Sequence, residues 1–334
     1  WAHWGYKAKI FYLERGLALD LFKDRFSIIP VKDYPLLVSL TEAFFYNCLG
    51  RFDESLVKLV FMFFYLSLLA YFYSLTKDIF GRYISALFTF FLATVPLVAE
   101  FGVGYYLGYA DLVFTYFNFV SVTSLWLWIL QKKKEFFYIS SLFVGFALWT
   151  KLEGLVLFAA NLICLVTAKF FFQKDKRAFL KIILNYAFFP VLVAISWYYT
   201  VFSSRASSVH FSAQSLPFSF GLIINRFLKL SNRFFQESLT FSRWNIFWVL
   251  LIMLPLIYFK RITNKNNAPV LLNLILQLFL YTVVIIIDID FNTVLFNSLS
   301  RLMMHLIPLV ILVILNNVFE NKTAILAREN KSKK

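Results

Sequence analysis

FFYISSLFVGFALW-TKLEG-LVLFAANLICLVTAKFF, residues 136–171, decides how this chain is read. Read as one helix, the stretch would be about 54 Å long at 1.5 Å per residue, against a bilayer hydrocarbon core of about 30 Å. It therefore divides at TKLEG into two antiparallel helices joined by a turn. The first, 136–149, has only 14 residues and is short for a span. Lys151 and Glu153, at the tip of the turn, are then expected below the headgroup level, where ionisable side chains are costly and face protein or water. Outward snorkelling, or pairing with each other, is the equally weighted structural alternative for these two alone.

The rest of the chain agrees with a membrane setting. Of 334 residues, 60% are hydrophobic, 21% aromatic and 15% charged. A soluble fold would lack the polar surface to cover such a core. The net charge of +15 does not point to nucleic acid, because the basic residues form short clusters between apolar runs. Runs of spanning length occur at 57–76, 80–98, 112–130, 155–171, 182–202, 245–259, 269–287 and 302–319, which with 136–149 makes nine expected spans.

Charge sets the orientation. Alternate connections, from Lys77 and Arg82 through Lys132–Lys134, the 169–181 cluster and 260–265 to the tail, hold 18 of the 33 basic residues. The opposite short connections, 99–111, 150–154 and 288–301, hold only Lys151 and Arg301. The basic side is cytoplasmic by the positive-inside rule. The layout is a first outer loop at 1–56, spans over 57–202, an outer loop at 203–244, spans over 245–319 and a basic tail at 320–334. Segment 220–235 alternates an apolar stripe (Phe220, Ile223, Ile224, Phe227, Leu228, Phe234, Phe235) with a polar one (Asn225, Arg226, Lys229, Asn232, Arg233), the pattern of an interfacial helix. Segments 1–20 and 34–48 are also expected to be helical and near the interface. Cys48 and Cys164 give no disulfide framework. The chain starts at Trp1 with residues too polar for a signal peptide, so a further N-terminal piece with a first membrane helix is expected.

One outer membrane edge collects the chemistry. His3 and Lys7 lie one helical turn apart in WAHWGYKAK. Asp33 precedes Tyr34-Pro35 in KDYPLL, where the chain is extended or turning. Asp111 follows Tyr109 in GYADL, Lys151 and Glu153 occupy WTKLEG, and Arg301 and His305 lie four apart in SRLMMHLIPL. Alone, each has a bland reading; together at one level, Asp111, Lys151, Glu153, Arg301 and His305 favour function. Glu100, Asp288 and Asp290 read as solvated edge acids. No metal-ligand spacing, Ser-His-Asp pattern or glycine-rich phosphate loop is present. Carboxylates can take a proton from a hydroxyl or amine, and cations can neutralise a phosphate. A lipid-linked phosphosugar needs both at this depth.

WAHWGYKAKIFY, DYPLL, GYADL, WTKLEG and SRLMMHLIPL, in that order over almost the whole chain, resemble the multi-spanning glycosyltransferases of the GT-C fold. The likeness is to bacterial proteins related to the dolichyl-phosphate-mannose protein mannosyltransferases and the lipid A aminoarabinose transferase. The resemblance implies an all-α polytopic bundle in a bacterial cytoplasmic membrane with an extracytoplasmic active site. It implies inverting transfer of a sugar from a polyprenyl-phosphate donor to a lipid, glycan or protein acceptor. It places an early loop acid upstream of Trp1. Asp33 is then base, orienter or neither; Asp111 matches a second acidic position; Arg301 and His305 would hold phosphate; Lys151 and Lys7 would stabilise the leaving group; Glu153 would orient the sugar or the cations. His3, Tyr34 and Tyr109 complete the expected substrate contacts. No cofactor is implied, and a divalent cation stays open. A polymerase or ligase of undecaprenyl-linked glycans, a transporter, and a catalytically silent scaffold are the competing readings.

Overall fold

The computed structural model describes residues 3–18, 34–172, 176–203, 219–249, 253 and 267–319. Among these residues every regular element is a helix. They run α1 Trp4–Leu13, α2 Leu37–Leu49, a 3-10 turn at Leu56–Lys58, α3 Leu59–Phe80, α4 Arg82–Ala93, α5 Pro96–Val103, α6 Ala110–Gln131, α7 Lys134–Thr150, α8 Gly154–Phe172 and α9 Lys176–Ser203. Then come α10 Phe220–Ser238, α11 Phe241–Trp244, α12 Ala268–Ile287, α13 Phe291–Asn297, α14 Leu299–Met304 and α15 Ile307–Val318.

Four helical segments are long and apolar enough to cross a membrane: Leu56–Phe80, Ala110–Gln131, Leu180–Tyr199 and Ala268–Ile287. A fifth counts if the bent pair α4–α5 is one span. That is fewer than the nine expected spans. Residues 136–149 form part of the 17-residue α7, and the apolar parts of α8 and α15 are shorter still. Most of the expected span 245–259 lies outside the described residues, as does the tail at 320–334.

Two expected straight spans are broken, both at proline. The 80–98 segment folds as α4 and α5, which meet at 74°. Pro96 opens α5; lacking an N–H and crowding the preceding turn, it cannot continue α4. The carbonyls this frees are taken by side chains: Tyr65 Oη donates to Ala93 O at 2.8 Å and Asn245 Nδ2 to Thr94 O at 3.2 Å. The 302–319 segment breaks at His305–Leu306, ahead of Pro308 in the first turn of α15.

Helix α6 is the axis of the bundle. Eighteen of its 22 residues are buried, and it packs against α3, α5, α7, α8, α12, α14 and α15. It ends where Lys132 adopts a left-handed conformation (φ 59°) whose N–H caps Trp128 O at 2.8 Å, and α7 starts two residues later. Close packing brings α9 onto α7: a Cβ at Gly145 would lie 2.5 Å from the Phe189 ring, the small-residue approach that membrane helices favour.

The N-terminal helices form a cap on the bundle, with Trp4 and Val38 reaching into the main core. Helices α1 and α2 run parallel, with Ser39 Oγ donating to Trp4 O at 3.0 Å at one end and the Tyr12 and Tyr46 rings 5.8 Å apart at the other. Between them Ala8, Phe11, Ala43 and Tyr46 form a small apolar cluster with Val57 and Trp197. Glu42, in its middle, is fully buried with no partner on either carboxyl oxygen. Burial pushes its pKa up to about 8, since an unpaired charge there is poorly solvated.

Helix α10 bears out the amphipathic expectation for 220–235 and presents three faces. Phe220, Ile224, Leu228 and Phe235 are exposed, as are Asn225, Lys229, Asn232 and Gln236 on a second stripe. The third face docks on the end of α12, where Arg226 Nη1 donates to Ile286 O at 2.6 Å and Asp288 O at 2.8 Å.

Candidate functional site

Five of the expected residues meet around one carboxylate. Asp111 lies in the first turn of α6 and is completely buried. Its Oδ1 is 2.8 Å from Lys151 Nζ and 3.3 Å from His305 Nε2; its Oδ2 is 3.5 Å from Arg301 Nη1. Lys151 Nζ also lies 2.7 Å from Glu153 Oε1. The pairing of Lys151 with Glu153 therefore occurs, as one of the two sequence readings allowed, but as part of a larger network.

Local structure explains why these groups converge. Tyr109 caps α6 in an extended conformation (ψ 142°), so Asp111 points from the first turn. The TKLEG turn closes with Gly154 N–H on Lys151 O at 3.0 Å. A Cβ at Gly154 would sit 2.6 Å from the backbone of Leu148, so the turn is this tight only because the residue is glycine. Arg301 and His305 occupy α14 and its C-cap, one turn apart on the same side.

The network has a closed floor and an accessible rim. Asp111, Lys151 and His305 have side chains 0–3% exposed, while Glu153 and Arg301 reach 20% and 27%. Burial alone would lower the Lys151 ammonium, but Asp111 and Glu153 outweigh it and raise its pKa above the usual lysine value. Burial likewise works against ionised Glu153, and Lys151 overrides it, holding the carboxyl below its usual range. Two cations and two carboxylates thus share one site. Arg301 is the looser cation: it also donates to Asn297 O and Ser298 Oγ within its own segment.

The other expected residues form an aromatic layer beside the rim. Tyr34 has its phenol pKa raised, first by burial and then by the nearby Glu153 charge. Lys7 Nζ donates to Tyr34 O at 3.1 Å, tying α1 to this segment. Trp4 touches both Tyr34 (5.7 Å between centroids) and Tyr109 (6.4 Å). His3 packs edge-on against Trp4, one layer removed from Asp111. Asp33 lies outside the described residues. Glu100 and Asp288 accept local backbone N–H bonds from Tyr105 and Asp290, in keeping with their reading as solvated edge acids.

Sequence reasoning missed the groups that hold His305. Its Nδ1 is 3.4 Å from Tyr281 Oη, its carbonyl accepts from Asn118 Nδ2 at 3.0 Å, and Phe114 packs on its ring at 4.5 Å. Asn118 exchanges two hydrogen bonds with Gln277 (3.1 and 3.0 Å). The chain of amides continues from Gln277 to Asn273, Asn161 and then Ser121 and Tyr186. The available signal was register: Asp111, Phe114 and Asn118 share one face of α6, and Gln277 and Tyr281 are four apart on α12. An apolar cavity of about 260 Å³ lies between α10, α12 and α14, with Tyr281, Leu230, Phe234 and Leu302 in its wall.

Among the described residues no group of three His, Cys, Asp or Glu could hold a metal ion. Compared with protein-family models, curated proteins and solved structures, the chain matches none.

Proposed function

We propose that this chain is an integral membrane glycosyltransferase of the GT-C type. It moves a sugar from a polyprenyl-phosphate donor to a lipid, glycan or protein acceptor on the extracytoplasmic face of a bacterial cytoplasmic membrane, with nine spanning segments in the sequence given. The observation that carries this reading is the convergence of Lys151 and Arg301 with Asp111 and Glu153 at one helix edge, with Arg301 and Glu153 at the accessible rim. A phosphate arriving at the rim would draw Arg301 from its 3.5 Å contact with Asp111 into a charge-assisted pair. The apolar cavity lined by Tyr281 supports the same reading, because an isoprenoid tail needs apolar surface beside its phosphate.

In the proposed reaction a carboxylate takes the acceptor's proton and the acceptor oxygen or nitrogen attacks the anomeric carbon. The bond from that carbon to the phosphate oxygen breaks, and polyprenyl phosphate leaves against Arg301 and Lys151. Asp111 is the poorest base of the set, since both its oxygens already face cations. It organises Lys151, Arg301 and His305, and the proton goes to Asp33 or to the acid expected upstream of Trp1. The test is transfer of label from polyprenyl-phosphate sugars to membrane acceptors in proteoliposomes. Arg301→Ala, expressed at the normal level, should lose transfer about a hundredfold; full activity in that variant would refute the site.

A second reading, a transporter, draws on the bend between α4 and α5 and on the polar residues deep within α6 and α12. Substrate flux across sealed vesicles without label transfer would favour it.

A further inference from the structure

His305 is held by Asp111 of the charged cluster and by three groups that lie outside it. Asp111 faces Nε2, Tyr281 faces Nδ1, Phe114 covers the ring, and Asn118 holds the main-chain carbonyl at the break between α14 and α15. The carbonyl lies where Pro308 interrupts the helix, so without a side-chain donor it would be poorly served. Gln277 locks Asn118 by two reciprocal bonds, and Gln277 and Tyr281 sit one turn apart on α12. Helix α6 therefore supplies Asp111, Phe114 and Asn118 to His305, while α12 supplies Tyr281 directly and Gln277 as the brace of Asn118. This is more constraint than packing an imidazole requires.

The charges around the ring decide which proton it carries. Asp111 and Glu153 balance Lys151 and Arg301, so a neutral imidazole keeps the buried cluster at zero net charge. A neutral ring has one N–H and one lone pair. Nε2 lies 3.3 Å from Asp111 Oδ1, close to but outside hydrogen-bond geometry, and because a carboxylate only accepts, the N–H belongs on Nε2, where a small turn of the ring completes the bond. Nδ1 must then accept, and Tyr281 supplies the only hydroxyl facing it among the contacts described.

We propose that Tyr281 is a positioning residue that donates its hydroxyl hydrogen to His305 Nδ1, fixing the imidazole as the Nε2–H tautomer directed at Asp111, with the Asn118–Gln277 pair holding the backbone that carries the ring. Through His305, Tyr281 sets the orientation of Asp111 and hence the freedom of Arg301. The tautomer itself is independent of the proposed transferase activity; only its catalytic meaning rests on that reading.

The experiment is nitrogen-15 NMR of the full chain in lipid bilayers with labelled histidine. The protein has three histidines, at 3, 210 and 305, and His305→Gln identifies the signal of interest. At neutral pH the wild type should show Nε2 protonated and Nδ1 as a hydrogen-bonded acceptor. Tyr281→Phe should shift the Nδ1 resonance or populate the other tautomer. A wild-type spectrum with the proton on Nδ1, or with both nitrogens protonated, overturns the proposal even if the variant fails to fold. So does a folded Tyr281→Phe protein whose His305 signals are unchanged. In the transfer assay, Tyr281→Phe should lower kcat up to about tenfold at unchanged KM. An unchanged kcat in a Tyr281→Phe protein whose His305 signals have shifted would overturn the positioning role, whereas absence of transfer in the wild type would count against the transferase reading alone and leave the tautomer assignment standing.

Discussion

Two levels of α6 solve the problem of burying polarity differently. At its N-terminal end, which is the outer end under the proposed orientation, Asp111 is surrounded by full charges from two other elements. About 10 Å further in, on the same face, Asn118 meets only neutral amides. The cost of a charge rises steeply with distance from water, whereas a neutral amide needs only its hydrogen bonds completed. The outer cluster keeps two members partly exposed and can exchange partners. The inner chain is closed: Gln277, Asn273 and Asn161 each use both amide hydrogens on protein acceptors. One level keeps partly exposed charges, the other joins helices through completed hydrogen bonds.

Removing one partner at the outer level should cost most. Lys151→Met leaves Asp111 buried with only Arg301 and a neutral imidazole, and should destabilise the protein by about 3–5 kcal/mol, as measured by denaturant titration in lipid. A loss below about 1 kcal/mol would mean that water already reaches Asp111.

Glu42 sharpens the contrast, being an outer carboxyl with no partner at all. Its folded-state pKa of about 8 exceeds the ordinary 4.5, so the folded protein holds a proton that the unfolded chain releases. Its effect on stability is therefore absent below pH 4.5 and grows unfavourable as pH rises to about 8, by a few kcal/mol at most. Proteolysis of the α1–α2 cap should accelerate across that window in the wild type, and Glu42→Gln should flatten the dependence.

At the inner level, Asn118→Leu strands the His305 carbonyl and half of Gln277, for an expected loss of about 1–3 kcal/mol. The double change with Gln277→Leu removes the half-paired amide but still strands the His305 carbonyl and also deprives Asn273 Oδ1 of its donor, so it should recover nothing and cost at least as much as the single change. The smallest effect belongs to Asn267, whose bond to Asn317 joins α12 to α15 at the other end of the bundle. Asn267→Ala should cost about 0.6 kcal/mol, the average for such bonds between membrane helices.

How much of this was visible in the chain follows the same division. Charged residues in an apolar sequence stand out, and their alternation across connections put Asp111, Lys151, Glu153, Arg301 and His305 at one level. Their meeting within 3.5 Å agrees with that placement. Asn118, Gln277 and Tyr281 did not stand out, because a lone amide or phenol in a span acquires meaning only from the helix opposite. The two breaks were hidden by apolar runs that continue through Val95-Pro96 and Ile307-Pro308. Hydropathy averages over the missing N–H of proline, and backbone geometry does not.

Gly154 makes the spacing between Lys151 and Glu153 and the helices on either side a fixed length. Insertion of a single residue in the turn would rotate one flank by about 100° relative to the other. Replacement of the glycine would force the turn away from Leu148. For anyone redesigning this site, the distance between residues 151 and 153 and the bundle is part of the frame, as fixed as the charge of Lys151 itself.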